Sequence, residues 1–278
     1  MKTKLPTFAP YQSFIERLWF FTLRGLNGLT LFFLIVPILV IVPLSFSDSS
    51  FLSYPMPGVS LRWYQNLFES DEWMRAAQNS FIVAPAATII ATVLGTLAAV
   101  GLNKADFRGK GMVMAVLISP MVVPVVVVGV GVYFFFAQIG LSETYTGLIL
   151  AHAALGAPFV VTTVSATLQG FNHNLVRASL SLGAGPLRTF FKITLPVIAP
   201  GLISGALFAF ATSFDEVVIT LFVAGPGQST LPRQMFAGIR ENISPTIAAL
   251  ATILIVFSTG LLLALEWLRG RNKAAAKF

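Results

Sequence analysis

Six long apolar stretches separated by short polar segments constrain this chain more than any other feature. They lie at 26–46, 78–101, 111–138, 146–168, 197–223 and 245–267. About 20 apolar residues suffice to cross a bilayer as a helix, and only helices and closed barrels satisfy backbone hydrogen bonds in hydrocarbon. With 56% hydrophobic and 10% charged residues, the composition is also far from that of soluble proteins. The sequence predicts an all-α, polytopic membrane protein with six transmembrane helices.

The fourth apolar stretch is the most polar of the six, because it contains His152, Thr162, Thr163 and Ser165. Within a membrane, polar side chains are favoured where helices face one another instead of lipid. We therefore expect this helix to be buried among the others. We also expect His152 to be a buried hydrogen-bonding residue and not a ligand.

Lysine and arginine are distributed unevenly between the polar segments that alternate along the chain. Most fall at the two termini and in the 102–110 and 169–196 loops: Lys2, Lys4, Arg17, Arg24, Lys104, Arg108, Lys110, Arg177, Arg188, Lys192, Arg269, Arg271, Lys273 and Lys277. The other polar segments hold only Arg62, Arg75, Arg233 and Arg240. Basic residues concentrate on the cytoplasmic side of membrane proteins. Both termini are therefore predicted to be cytoplasmic.

A polar, basic segment with several glycines lies between the fourth and fifth apolar stretches. Residues 175–182 favour a short helix, and Gly183, Gly185 and Pro186 supply the φ values with which a chain reverses. The prediction is a helix-turn-helix that projects from the membrane. It would present three leucines to a groove on a soluble partner: Leu180, Leu182 and Leu187.

The residue spacing in this segment resembles the cytoplasmic coupling loop of bacterial ABC-importer permeases. The family pattern is Glu-Ala-Ala, three residues, Gly, nine residues, Ile, one residue and Leu-Pro. The corresponding positions here are Arg177, Ala178, Ser179, Gly183, Ile193, Leu195 and Pro196. The resemblance implies the ABC type I importer permease architecture. In it, residues 169–196, called the coupling loop below, contact a cytoplasmic ATPase, and Leu182 and Arg188 belong to that contact.

Two departures of the coupling loop from the family change its charge. Arg177 replaces the glutamate, and Ser181 replaces an acidic residue often found there. With Arg188 and Lys192, the loop has three basic residues and no acidic one. The resemblance therefore implies an ATPase whose docking groove carries a different charge, or a different contact at this position.

The same resemblance implies a set of partners in the bacterial inner membrane and on either side of it. They are a second homologous permease subunit, two ATP-binding subunits and a periplasmic substrate-binding protein, with lipid around the helices. The chain has no Walker A, His-Glu-x-x-His or Gly-x-Ser-x-Gly motif, so it is not expected to be an enzyme. We expect no cofactor or metal of its own, since ATP and Mg belong to the ATPase. The sequence has no basic stripe with interleaved aromatic residues, so we do not expect nucleic-acid binding.

Three regions follow from these patterns. Residues 1–25 are expected to form a cytoplasmic or interfacial segment, residues 26–267 the six-span permease domain, and residues 268–278 a basic cytoplasmic tail. Aromatic and basic residues between 14 and 24 suit a helix lying along the inner interface. A flexible tail is the alternative for that segment.

The fifth stretch strengthens the resemblance and narrows it to polyamine-importer permeases of the spermidine/putrescine type. It contains Asp215 and Glu216 ahead of an apolar segment, and Gly225-Pro226 and Thr230-Leu231-Pro232 follow the stretch, as in that family. The resemblance implies a small amine-bearing cargo moved from periplasm to cytoplasm by alternating access. An aminoalkylphosphonate, an amino-butyrate-like compound and an opine remain alternatives.

Two adjacent acids within a transmembrane helix need a water-filled path, a partner or protonation, because each costs about 2.5–3.5 kcal/mol at a helix centre. Neighbours on a helix point about 100° apart, so one acid could face the pathway while the other pairs with another helix. We expect Asp215 to face the pathway. Alternatively both acids hold helices together, or either couples an ion in a secondary transporter, which would be expected to show internal repeats.

The third stretch carries two prolines four residues apart, Pro120 and Pro124. Proline removes a helical hydrogen bond, so this pair predicts a bend where a gate could open. Tyr133 and Phe134, downstream, could close a hydrophobic constriction. The polyamine family commonly has an aspartate directly after the second proline, whereas this chain has Val125.

Overall fold

The computed structural model describes residues 13–241 and 243–275 and is built from helices. The only strand-like pairing in those ranges is an isolated bridge between Ser47 and Val59. The helices are α1 Phe14–Leu44, α2 Arg62–Glu69, α3 Asp71–Lys104, α4 Lys110–Ile118, α5 Val125–Ile139, α6 Tyr145–Gln169, α7 Asn174–Ser181, α8 Pro186–Thr189, α9 Leu195–Phe214, α10 Val218–Val223, α11 Leu231–Glu241 and α12 Pro245–Ala275. The predicted all-α fold class is confirmed.

Four of the six predicted spans correspond to long apolar helices in the described chain, and a fifth corresponds to a bent pair of helices. Four continuous helical segments have the necessary length and hydropathy: Phe14–Leu44, Asp71–Lys104, Tyr145–Gln169 and Pro186–Phe214. The last consists of α8 and α9, joined by a π-helical turn at Phe190–Thr194. The bent pair Lys110–Met121 and Val125–Ile139 supplies a fifth crossing if the pair is one span. The sixth span, 245–267, stays a prediction, because Pro245–Gly260 is apolar but shorter.

The chain forms two compact units, one from residues 1–67 and 242–278 and the other from 68–241. In the first, α1 begins with a capping box. The Ser13 hydroxyl accepts from the Glu16 N–H, and the Glu16 carboxylate accepts from the Ser13 N–H. From Phe14 onward, α1 runs as one helix into the first apolar stretch, and its side chains are almost all exposed. Residues 1–12 of the predicted N-terminal segment lie outside the described residues.

The core of the second unit is the packing of α3, α6 and α9. Small residues line the buried face of α9 at intervals of four: Gly201, Gly205, Ala209 and Ser213. Large apolar side chains such as Phe208 and Ile203 point outward instead. Small residues at helix contacts let the backbones approach closely, which is how helices associate in lipid. This distribution is the reverse of a soluble core.

Close approach of α6 to its two neighbours explains several glycines. A Cβ added at Gly156 would lie 3.0 Å from the Ala209 Cβ of α9, and one added at Gly95 would lie 2.7 Å from the Val160 Cβ of α6. Of the apolar helices in the described chain, α6 is the most buried. Its predicted central position is therefore confirmed.

Three threonine hydroxyls of α6 are satisfied within their own helix. Those of Thr162, Thr163 and Thr167 each donate to the carbonyl four residues earlier, at 2.8–2.9 Å. Such back-bonding removes the cost of a free hydroxyl in an apolar environment. Polar residues are thus compatible with a buried membrane helix.

The segment between α10 and α11 is fixed to the rest of the second unit by hydrogen bonds. The Asn79 side-chain amide of α3 donates to the Gly227 and Ser229 carbonyls at 3.0 and 2.8 Å. Its oxygen accepts from the Tyr145 hydroxyl at 2.6 Å. Arg233 donates to the Ala224 carbonyl at 2.9 Å. The segment, which contains the Gly225-Pro226 turn, is therefore held in place by the rest of the unit.

Candidate functional site

The coupling loop contains the predicted helix and turn. Helix α7 ends at Ser181, and Gly183 follows with φ +80°. The Gly183 N–H donates to the Leu180 carbonyl at 3.0 Å, and the Ala184 N–H donates to the Ser179 carbonyl at 3.1 Å. This pair of bonds is the Schellman motif, which ends a helix with a left-handed residue. Gly183 is therefore a turn residue that a side chain would strain.

A second set of contacts fixes α8 to α7. Pro186 begins α8, where its missing N–H costs no helical bond. The hydroxyls of Ser179 and Thr189 lie 3.0 Å apart, and Thr189 is buried. At the base of the loop, Ile193 and Leu195 pack against the core cluster of α3, α6 and α9. The loop is thus joined directly to the helices that it would have to move.

The exposed surface of the coupling loop is apolar and basic. Leu182 and Leu187 are 88% and 75% exposed. Lys192 is exposed, and so are most other predicted contact residues: Arg177, Ala178, Gly183, Arg188 and Pro196. No ion pair involves the three basic residues within the described chain. Some of the predicted docking residues therefore lie on an exposed surface, and two others, Ile193 and Leu195, lie at the half-buried base of the loop.

The two acids of the fifth stretch do not lie within one helix, contrary to the sequence-based expectation. Helix α9 ends at Phe214 and α10 begins at Val218, leaving residues 215–217, called the acidic break below, between them. The 100° argument for neighbouring helical residues therefore does not apply. An interrupted helix leaves backbone N–H and C=O groups without helical partners, and polar side chains can form hydrogen bonds with them.

The two acids occupy different environments. A carboxylate oxygen of Glu216, which is half-buried, accepts from the Ile219 N–H at 2.8 Å and so caps the start of α10. Asp215 is exposed, and its carboxylate has no hydrogen bond or ion pair within the described residues. Glu216 thus has a structural partner, whereas Asp215 is left available.

His152 connects the two sides of the acidic break. It is fully buried in α6, as predicted. Its Nδ1 lies 2.9 Å from the Ser213 hydroxyl and 3.2 Å from the Ser213 carbonyl oxygen, near the end of α9. Its Nε2 lies 3.1 Å from the Thr220 hydroxyl in α10. Sequence reasoning missed Ser213 and Thr220, because the contacts span 61 and 68 residues.

The predicted bend at the two prolines is present. Residues Lys110–Met121 and Val125–Ile139 meet at 101°, with Pro120 in the preceding turn and Pro124 directly before α5. Tyr133 and Phe134 contact each other edge to face and are 39% and 62% exposed. The face of α5 that packs on α10 is formed by other residues: Val128, Val132 and Phe136. A constriction made by Tyr133 and Phe134 stays a prediction.

Comparison with known proteins identifies the family to which the chain belongs. Residues 91–273 match the family described as binding-protein-dependent transport system inner membrane component. The chain belongs to this family. It is thus a multi-pass subunit of an importer and not an enzyme.

Curated relatives cover most of the chain. The spermidine/putrescine transport system permease protein PotC of Haemophilus influenzae is 34% identical over 86% of this chain and 93% of its own length. The putrescine transport system permease protein PotI of Escherichia coli is 36% identical over 80% and 82%. The molybdate/tungstate transport system permease protein WtpB of Pyrococcus abyssi is 32% identical over 72% and 80%.

Solved structures share the fold. A chain of a bacterial ABC transporter involved in the import of the acidic polysaccharide alginate superposes with a TM-score of 0.76 at 13% identity. That match covers 93% of this chain and 99% of the other. A second structure of a bacterial alginate ABC transporter, in complex with a periplasmic protein, gives 0.63 at 18% identity over 87% and 93%. The ABC importer permease architecture is thereby confirmed.

Proposed function

We propose that this chain is the permease subunit of an ABC importer for a small amine-bearing solute, with a polyamine as the first candidate. The observation that carries the proposal is the 34–36% identity to permeases named for spermidine and putrescine. Asp215 supports it independently. A carboxylate that is exposed directly after a membrane-spanning helix favours a cationic cargo, since the attraction between opposite charges is strong where water is scarce.

The same carboxylate argues against an oxyanion. One relative is named for molybdate and tungstate, but an unpaired carboxylate in the pathway would repel such a cargo. Val125 leaves the start of α5 without the acid that polyamine permeases commonly carry there. This favours, as the second candidate, a cargo with one amine and an acidic group, such as an aminoalkylphosphonate, an amino-butyrate-like compound or an opine.

The proposed complex contains a second homologous permease, two ATP-binding subunits and a periplasmic binding protein. The ATP-binding subunits would hold ATP and Mg, and this chain would bind no cofactor or metal. Both termini and the coupling loop would lie in the cytoplasm, and the segment between α10 and α11 in the periplasm. The regions 1–25, 26–267 and 268–278 keep their predicted roles in this arrangement.

The proposed mechanism is alternating access driven through the coupling loop. When the ATP-binding subunits close, they would displace α7 and α8. Because Ile193 and Leu195 at the base of the loop pack on α3, α6 and α9, that displacement would reach the core helices. The transport pathway would then open toward the periplasm, receive cargo from the binding protein, and return to the inward-facing state after ATP hydrolysis.

Neutralising Asp215 tests the cargo chemistry. Asp215→Asn keeps the side-chain shape but loses the charge, so uptake of a cationic cargo should fall about tenfold or more. Uptake of labelled spermidine into proteoliposomes, normalised to assembled complex, is the measurement. Glu216→Gln is the matched control, because its amide oxygen can still cap the Ile219 N–H. Equal uptake by wild type and Asp215→Asn would remove Asp215 from the pathway.

The charge of the coupling loop predicts the partner surface. With Arg177, Arg188 and Lys192 exposed and unpaired, the groove on the ATP-binding subunit should be acidic. Arg177→Glu with Arg188→Glu should weaken co-purification of that subunit about tenfold or more. Raising the salt concentration should weaken the wild-type association as well. Arg108→Glu, which reverses an exposed charge outside the loop, is the control. Tighter binding by the double variant would contradict the proposal.

A ligand screen on the cognate binding protein tests the cargo most directly, because that protein delivers the solute. Thermal shift with spermidine, putrescine, 2-aminoethylphosphonate, 4-aminobutyrate, octopine and molybdate separates the candidates. We expect an amine to bind. Binding of molybdate alone would overturn the proposed cargo and leave the family membership unchanged.

A further inference from the structure

His152 lies where two apolar clusters of the second unit meet. Its neighbours Ala151 and Leu155 belong to a cluster with Ile219 and Val223 of α10. Ala153 belongs to the larger cluster of α3, α6 and α9. The imidazole between them contacts α9 through Ser213 and α10 through Thr220. A single buried side chain therefore connects the two helices that flank the acidic break.

The ends of both helices at the acidic break are satisfied by side chains. The last carbonyls of a helix have no intrahelical partner, and an unsatisfied carbonyl is costly in a membrane. At the end of α9, the Ser213 carbonyl lies 3.2 Å from His152 Nδ1. At the start of α10, the Ile219 N–H donates to Glu216. His152 and Glu216 thus each contact a backbone group beside the acidic break.

The imidazole can satisfy both helices in either neutral tautomer. With the proton on Nδ1, it donates to Ser213 and accepts from the Thr220 hydroxyl at Nε2. With the proton on Nε2, it donates to Thr220, whose hydroxyl then donates to the Glu216 carbonyl at 3.2 Å. Nδ1 accepts from the Ser213 hydroxyl in that case. The Thr220 hydroxyl therefore contacts His152 in both tautomers, and it also donates to the backbone of the acidic break when the proton is on Nε2.

We propose that His152 is a positioning residue for transport, which sets the spacing of α9 and α10 and thereby the direction of the Asp215 carboxylate. The consequence for cargo rests on the proposed transport function. The geometric claim does not, because the position of residue 215 can be measured without any cargo.

A thiol at position 215 measures that geometry directly. The chain contains no cysteine, so Asp215→Cys places one thiol in an otherwise thiol-free chain. In the full complex in vesicles, its rate of reaction with a cationic methanethiosulfonate reagent reports exposure of the acidic break. Adding His152→Phe should change that rate about tenfold or more, as expected for losing a buried hydrogen-bonded partner. His152→Gln retains one polar contact and should give a smaller change.

Two conservative variants separate positioning from folding. Thr220→Val and Ser213→Ala each remove one hydroxyl that contacts His152 and keep most of the packing volume. For spermidine uptake, each should raise KM about tenfold with little change in maximal rate per assembled complex. Thr162→Val is the matched control, because its hydroxyl bonds only to carbonyls of its own helix.

The outcomes are distinguishable. Altered labelling at position 215 together with a raised KM supports the proposal. If wild type transports no spermidine, the cargo assignment fails, and the labelling rates still decide the role of His152. If His152→Phe does not assemble, labelling of position 215 in the Thr220→Val and Ser213→Ala backgrounds decides instead. Unchanged labelling in every background that assembles overturns the proposal.

Discussion

Replacing Gly183 by leucine is expected to reduce ATP-driven uptake about a hundredfold while the chain remains inserted in the membrane. A left-handed residue with a Cβ costs about 1–2 kcal/mol, which is roughly tenfold in the population of the turn. A leucine beside the exposed Leu182 would also obstruct docking, which we expect to contribute about another tenfold. Uptake and co-purification of the ATP-binding subunit in proteoliposomes measure the two effects.

Two variants control for this substitution. Gly183→Asn should retain most uptake, because asparagine tolerates the left-handed conformation. Gly109→Leu imposes similar strain at φ +96° in the 102–110 loop, where an added Cβ likewise meets no neighbour within 4 Å. If Gly109→Leu lowers uptake as much as Gly183→Leu does, the loss is a general effect of backbone strain. It would then not be evidence that Gly183 acts in coupling to the ATP-binding subunit.

The coupling loop could be predicted from the sequence because its determinants are local. A short helix was expected at 175–182, and α7 occupies Asn174–Ser181. Gly183 adopts the positive φ that the turn requires, and Pro186 begins the next helix. Glycine and proline determine backbone angles at their own positions, so no knowledge of distant contacts was needed.

The acidic break could not be predicted in the same way. Apolar residues on both sides of Asp215 make 197–223 resemble one continuous span when hydropathy is averaged over a window. The helices on either side of the interruption contact His152 through Ser213 and Thr220, which are 61 and 68 residues away from it. Hydrogen bonds across such separations follow from packing and leave no periodic pattern in the sequence.

The sequence of α9 does indicate which face packs against other helices, but through its small residues and not through the periodicity of its large apolar ones. Gly201, Gly205, Ala209 and Ser213 recur every fourth residue, which places them on one face of a helix. Sequence reasoning that seeks large apolar residues inside would assign this face to the surface. In lipid the argument reverses, because small residues mark the contact between helices.

Gly205→Leu is expected to have the largest effect on assembly. A Cβ added at Gly205 would lie 2.8 Å from the Val160 Cα, a backbone atom of α6 that cannot rotate away. A leucine would have to separate α9 from α6, and overpacking of this kind typically costs about 1–3 kcal/mol or more. Because α9 also carries Ser213 and leads into the acidic break, the loss should extend to both. We expect little assembled complex by size-exclusion chromatography in detergent.

Gly101→Leu in α3 is the matched control, since it introduces the same side chain into a membrane helix at an exposed position with no neighbour within 4 Å. It should assemble like wild type, because a side chain facing lipid adds no crowding. Gly205→Ala should give an intermediate yield, since it adds only the Cβ that approaches Val160. Equal assembly of the Gly205→Leu and Gly101→Leu variants would show that close approach of α6 and α9 is not what holds the core together.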